Sequence, residues 1–384
     1  MEAGDLAGRR REPDRAPRLD RGTALALPHQ PAAPVGRAGG PRGPLRRPRP
    51  GAHPERPVSE PAAGERPHGE QPTSGRVLVL GAAGRIGYAT AAAFQAAGWQ
   101  VASLVRGSAA HRCVPGTTVI GLDARDRASV IEAASGADVI VHALNTPYAE
   151  WPTSVPDFAE TAIAAARAAG ATLMVPDPLF AYGAGMPSVI DEETPLRPTA
   201  RKGVLRAALA ERLRAEAEDG LRVVLVRAGD VYGGGIGWLD RVVVNHLPHG
   251  RLAYPGPLDL VHAWAYLPDL AATLVRLAER RTTLPAFAPF GFPGHAVTGR
   301  VLTTAIVEAV GRPLKIDRMQ WWMLRAVAPL VPIFRELCDV AYLWSVPHRI
   351  DGTRLAAAVG TVPHTPFEAA LADALYALGA TRRA

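Results

Sequence analysis

From residue 76 onward, short apolar runs alternate with longer stretches of mixed apolar and polar residues. Arg76-Val-Leu-Val-Leu80 predicts a buried strand, and the alanine-rich run 88–97 predicts a helix behind it. Residues 100–105 and 117–121 predict two more strands, 124–135 a helix and 137–142 a fourth strand. A helix over 155–169, opening after Pro152 and Ser154, leads to a fifth strand at 171–175. The long amphipathic run 202–219 predicts a helix, and 221–227 a sixth strand. Strands separated by helices of this length predict an α/β fold, a doubly wound parallel sheet covered on both faces.

After the sixth strand the regular alternation stops. Residues 229–262 are rich in glycine, proline and aromatics, with Tyr232, Trp238, His246, Tyr254 and His262 interleaved, a composition suited to a small polar-aromatic ligand. Trp264 to Leu270 opens a helix to about Glu279, in which Asp269 is expected as a buried anchor or cap. Residues 319–344 carry Trp321, Trp322, Leu330 and Phe334, but Arg325, Arg335, Glu336 and Asp339 interrupt them and Pro329 and Pro332 break them. Two short amphipathic helices are expected there instead of a spanning segment. They would cap a cleft or form a dimer face, with interfacial membrane contact as the alternative. Two more amphipathic helices are expected at 351–359 and 366–378.

Composition changes the picture at the N-terminus. The 384 residues could hold one large domain or two smaller ones, and an apolar fraction of 48% suffices for a large core. The net charge of +7 is uneven: residues 1–50 hold eleven arginines against five acids. Residues 1–75 also hold 14 of the 36 prolines and almost no aromatic or β-branched residues, so they are expected to be a disordered Arg/Pro-rich tail. It reads as a solvated arm or an upstream extension, with a nucleic-acid or anionic-surface role as a minor alternative. Its apolar stretch is too short for a secretory signal. The expected division is therefore residues 1–75 as tail, 76–228 as dinucleotide-binding domain, and 229–384 as a smaller C-terminal substrate lobe with returning elements of the first fold. Cys113 and Cys338 show neither disulfide nor metal spacing, nor do the eleven histidines, so no metal and a cytoplasmic compartment are expected. Only Lys202 and Lys315 are lysines.

The chemistry begins at the first strand's end. Gly81, Gly84 and Gly87 sit between strand and helix. Gly81 permits the tight turn, Gly84 lets a pyrophosphate approach the backbone, and Gly87 lets the helix pack on the strand. The N–H groups of the helix start, at Arg85 and Ile86, complete an anion cradle, so this is a Rossmann-type dinucleotide site. The second strand ends in Val105-Arg106-Gly107, where an acid would hold the ribose hydroxyls. A guanidinium there pairs with a 2′-phosphate, so NADP(H) is favoured over NAD(H). Asp123 is placed for the adenine amino group, and Ala143 and Leu144 for the wall of the cofactor channel.

Taken in order, these motifs resemble the extended short-chain dehydrogenase/reductase superfamily, which includes NAD-dependent epimerases and dehydratases. Asp123, His142-Ala143, Tyr182-Gly183, Arg227-Ala-Gly-Asp-Val-Tyr-Gly233 and Ala265-Tyr-Leu-Pro-Asp269 carry the resemblance along residues 76 to about 375. It implies a small-molecule substrate bound by the region after the sixth strand, and it allows a homodimer paired through helices. It also implies a serine at the end of the fifth strand and Tyr-x-x-x-Lys opening the next helix. This chain departs from both. The serine region reads Val175-Pro-Asp-Pro-Leu179, and counting back from Glu211 puts Gly203 and Ala207 at the tyrosine and lysine positions.

Lys202, Tyr182 and Asp177 are the candidates to replace the missing pair, because each carries a group that can exchange a proton. Each has a structural alternative: a solvated first-turn lysine, a packed corner tyrosine and a loop acid. Two functions follow. One is an NAD(P)-dependent oxidoreductase or epimerase-like enzyme moving hydride on a small carbonyl or carbinol. The other is a protein that senses the nucleotide without turnover.

Overall fold

Alternate residues of the first strand, β1 (Arg76–Leu80), point to opposite faces of a sheet, and both sets are apolar. Leu78 and Leu80 enter one core, Val77 and Val79 another. Burial on both sides demands helices on both faces. The computed structural model, which describes residues 74–235 and 237–381, has them. Apart from its last two residues, the expected tail lies outside the described residues.

In chain order, α1 (Arg85–Ala96) leads to β2 (Gln100–Val105), β3 (Thr118–Gly121), α2 (Arg127–Ala133), β4 (Val139–His142), α3 (Trp151–Ala169) and β5 (Thr172–Pro178). Then come β6 (Val189–Ile190), α4 (Arg201–Glu218), β7 (Val223–Ala228), β8 (Asp230–Tyr232), β9 (Arg251–Tyr254), β10 (Val261–Tyr266) and α5 (Leu267–Glu279). The remainder is β11 (Phe287–Phe292), β12 (His295–Thr298), α6 (Gly299–Val310), β13 (Lys315–Arg318), α7 (Trp321–Val327), α8 (Pro332–Asp339), β14 (Arg349–Ile350), α9 (Thr353–Val359) and α10 (Phe367–Ala377).

Seven strands form the central sheet in the order β11-β7-β5-β4-β1-β2-β3, every neighbouring pair parallel. The order reverses between β1 and β4, which opens a crevice at their carboxyl ends. Phe94 of α1 and Leu270 and Leu274 of α5 fill the core on one face. Phe158 and Ile163 of α3, with Leu209 and Leu213 of α4, fill the other. The six expected central strands are all present. The seventh, β11, returns from beyond residue 280 to pair with β7.

Two boundaries moved for physical reasons. The α3 helix begins at Trp151, earlier than expected, because Pro152 in the first turn needs no N–H partner. The β5 strand runs past Val175 to Pro178. Its pairing with β4 stops at Met174, so Pro176 and Pro178 leave no gap in that ladder, while the β7 side continues and sets Asp177 beside Arg227.

A third core lies in the second lobe. Tyr232, Tyr254, Trp264 and Trp344 are buried there with Leu302, Ile306 and Leu371. This corrects the expectation that the aromatics after the sixth strand line a substrate cleft: Tyr232 and Tyr254 pack inward, and the Tyr232 hydroxyl meets His295 Nδ1 at 2.9 Å. Asp269 is an anchor rather than a cap, since its carboxylate accepts from the Thr365 backbone N–H (2.6 Å) and hydroxyl (2.8 Å). The two short helices expected in 319–344 are α7 and α8.

Candidate active-site cleft

The glycine turn closes over the crevice. Gly81 has φ +84°, and a Cβ there would lie 2.8 Å from the Ala143 carbonyl oxygen. A Cβ on Gly87 would lie 2.3 Å from the Gly81 carbonyl oxygen, so α1 packs against the turn at backbone distance. Gly84 is the N-cap and offers no side chain to the first turn of α1, which leaves that turn open to an anion.

Two cavities flank β4's carboxyl end and share Ala143, Leu144 and Asn145. The first, about 390 Å³, is lined by Gly81, Gly84, Arg106, Arg112 and Asp123. Arg106 and Arg112 are exposed and carry no ion pair or side-chain hydrogen bond among the described residues. Asp123 accepts from the Arg125 N–H at 2.9 Å. The glycine turn, Arg106, Asp123, Ala143 and Leu144 are thus brought together along one trough. Arg112 was not foreseen; it comes from the turn after β2, and no pattern in the sequence separates it from the other arginines.

The second cavity, about 170 Å³, holds Arg85, Ile86, His142, Tyr148, Trp151, Asp177, Phe180, Arg206 and Asp230. Arg85 Nη1 donates to the carbonyls of Val231 (3.1 Å) and Gly235 (3.2 Å), tying the turn helix to β8 and the loop after it. Trp151 Nε1 donates to Asn145 Oδ1 at 3.0 Å. Its ring stacks under the Arg206 guanidinium, with Cζ 4.5 Å from the ring centroid. His142 is buried beside Arg206. Burial first, and that charge second, push its pKa down to about 3, so it is a neutral imidazole with an unpaired Nδ1.

The three expected catalytic residues have different fates. Asp177 lines the cleft floor, buried between Arg206 (3.4 Å) and Arg227 (3.7 Å). Burial raises its pKa, and the two arginines oppose that shift. Tyr182 lies behind it, donating to the Asp191 carbonyl (3.3 Å) and accepting from Arg227 (3.4 Å), so its hydroxyl does not face the cavity. Lys202 is buried too. Its Nζ donates to Glu336 Oε2 (2.5 Å) and the Glu336 carbonyl (2.8 Å), with Asp339 3.7 Å away. Asp339 also accepts from the Arg201 and Lys202 backbone N–H groups at 3.3 Å, serving as the acceptor that the start of α4 lacks. Lys202 is therefore no solvated lysine, and its ammonium sits 4.6 Å from the centroid of the Tyr148 ring.

Gly203 stands at the position expected for the tyrosine, and a Cβ there would lie 2.3 Å from the Phe180 carbonyl oxygen, so no tyrosine fits there. One helical turn apart on α4, Lys202 lies over the Tyr148 ring and Arg206 over the Trp151 ring, and of the two Arg206 lines the cavity. Glu211 of the same helix is exposed on its outer face. Tyr148 and Arg206 are the residues that the sequence reading missed.

A seven-stranded parallel sheet with a glycine turn at its switch point defines a Rossmann-type dinucleotide-binding protein. The chain belongs to the NAD dependent epimerase/dehydratase family, whose model matches residues 77–287. A 3-diazoavenalumate denitrifying reductase from a Streptomyces species is 32% identical over 225 residues, covering 54% of this chain and 73% of that protein. Among solved structures, the UDP-N-acetylglucosamine 4-epimerase from Bacillus cereus superposes with a TM-score of 0.63 at 14% identity, over 79% of this chain and 99% of its own. The Bordetella bronchiseptica enzyme WbmH, solved with NAD+, gives 0.62 at 18%, over 80% and 99%. Family membership supports NAD(P)-dependent oxidoreductase or epimerase chemistry, and the uncapped helix start and glycine cradle fit the pyrophosphate of such a cofactor. Among the described residues no helix is long and apolar enough to cross a membrane.

Proposed function

We propose that this chain is an NADP(H)-dependent reductase of a small, planar carbonyl compound, with the Tyr148 phenol as its proton donor. A bound nicotinamide dinucleotide supplies the hydride. The observation that carries the reading is Tyr148: a phenol at the cleft wall with the Lys202 ammonium over its ring. A tyrosine and a lysine are together again, but the tyrosine comes from the turn before α3 rather than from α4. Burial and Asp230 push the Tyr148 pKa up to about 12, against Arg85 and Arg206, so the phenol holds its proton at neutral pH. It can then give that proton to a substrate oxygen, while Arg85 and Arg206 stabilise the phenolate left behind.

Lys202 acts as a positioning residue, held in place by Glu336. Asp177 fixes Arg206, and Tyr182 backs Arg227. The walls of Trp151, Tyr148 and Phe180 suit a flat ring. Similarity to a reductase favours net reduction over epimerisation. The free pair Arg106 and Arg112 supports NADP(H) over NAD(H). The free thiols Cys113 and Cys338 suit a cytoplasmic protein.

The test is NADPH oxidation with 9,10-phenanthrenequinone and other aryl carbonyls. Tyr148→Phe should lower kcat by roughly 10²–10⁴ with NADPH affinity intact. A Tyr148→Phe enzyme with wild-type kcat would remove the phenol from the mechanism. Tight NADPH binding without turnover of any carbonyl would leave the nucleotide-sensing alternative.

A further inference from the structure

The α7–α8 hairpin has two unlike sides. Its inner side is acidic and occupied: Glu336 and Asp339 turn toward Lys202 and the start of α4. Its outer side is apolar and open. Trp322 is 67% exposed and Leu330 83%, and Met323, Val327 and Ile333 are exposed beside them. Trp322 is the chain's exposed tryptophan, whereas Trp99, Trp151, Trp264 and Trp344 are each below 5%. A cluster of large apolar side chains this exposed within one short hairpin marks a contact site.

The charges decide what covers it. With the acids turned inward, the exposed charged residues of the hairpin are Arg325 and Arg335, with Arg318 just before it. Arg318 and Arg325 have no ion pair among the described residues. A second copy docked face to face would bring like charges together. An anionic lipid surface answers both features: it accepts a tryptophan and aliphatic side chains at the headgroup boundary and attracts the basic rim.

We propose that the outer face of the α7–α8 hairpin, centred on Trp322 and Leu330, docks this protein on an anionic membrane surface. No helix enters the bilayer core; the hairpin lies in the interface. Its α8 packs on the turn that carries Tyr148, so the hairpin that bears the docking face also borders the cleft wall. The surface does not depend on the reaction proposed above.

The experiment uses the full chain and extruded phosphatidylcholine vesicles with and without about one-third phosphatidylglycerol. The protein should sediment with the anionic vesicles and not with the neutral ones. Bromines on the lipid acyl chains should quench tryptophan fluorescence, and Trp322→Phe should abolish that quenching while sedimentation persists. Trp322→Ser combined with Leu330→Ser should weaken binding about tenfold or more, with thermal unfolding unchanged because both side chains are exposed. Failure to bind anionic vesicles overturns the proposal, as does equal binding to neutral ones. Sedimentation indifferent to the double variant overturns it in favour of the N-terminal arginines. A dimer in sedimentation velocity that the double variant dissolves overturns it in favour of a contact between copies.

Discussion

The two ends of the cleft are built by opposite means. At the cofactor end the critical surface is backbone, and three glycines within seven residues make it. At the proposed substrate end it is side chain, and Tyr148, Trp151, Asp177, Arg206 and Asp230 arrive from four separate stretches. The first end is local and depends on missing atoms. The second is assembled only when the sheet, α3 and α4 have packed, and α8 locks it through Glu336. A backbone site should therefore be sensitive to added bulk, and an assembled site to lost partners.

The largest effect expected from this contrast is at the lock. Glu336→Ala leaves the buried Lys202 ammonium without its nearest carboxylate, with only Asp339 3.7 Å away, and should cost about 3 kcal/mol in denaturant unfolding. Replacing both partners, Lys202→Met with Glu336→Leu, should restore most of that loss, and a double variant as unstable as the single would show that the pair itself is not the issue. Next comes the glycine end. Gly87→Ala pushes a methyl into the Gly81 carbonyl and should destabilise by about 1–3 kcal/mol while weakening NADPH binding, read by calorimetry. Unchanged NADPH affinity in that variant would erase the proposed difference between the two ends.

Acid should act at the substrate end. His142 and His348 are held neutral by burial, at about 3 and about 4 against an ordinary 6.5. The unfolded chain takes up protons below pH 6.5 that the folded chain refuses. Stability is thus full above 6.5 and falls as the pH drops toward 4, by about 1.4 kcal/mol per pH unit for each histidine. His142→Phe should lower that slope by about 1.4 kcal/mol per pH unit in urea unfolding between pH 6.5 and 4.5, and a slope that the substitution leaves intact would place the acid sensitivity elsewhere. The smallest effect is at the rim: if Arg106 meets only the extra phosphate, as proposed, Arg106→Ala should weaken NADPH about tenfold and leave NADH unchanged. Equal losses for both cofactors would mean that Arg106 does not discriminate between them.

The same contrast explains what was legible in the sequence. The glycine turn could be read because its geometry is written in consecutive residues, and the first six strands because their apolar runs are bounded by helices. Asp177 was visible as a residue but not as a partner of Arg227, because the prolines beside it hid the end of β5. The partner of Lys202 lies 134 positions away, and no spacing rule reaches that far. Tyr148 sits in a short turn whose sequence, Asn-Thr-Pro-Tyr, says loop and nothing more. The β11 strand escaped because Pro289 and Gly291 break its pattern, which an edge strand paired on one side tolerates.

That edge strand also gives the chain a timetable. As the protein leaves the ribosome, β7 emerges about sixty residues ahead of the β11 strand that covers it. At roughly 5–20 residues per second the gap lasts roughly 3–12 seconds. Throughout that interval one side of Val223–Ala228 shows a bare ladder of backbone donors and acceptors, with nothing from its own chain to pair them. The nascent chain is most vulnerable to mispairing with its neighbours on a polysome then, and slower translation of residues 229–286 would lengthen that exposure without changing the finished fold.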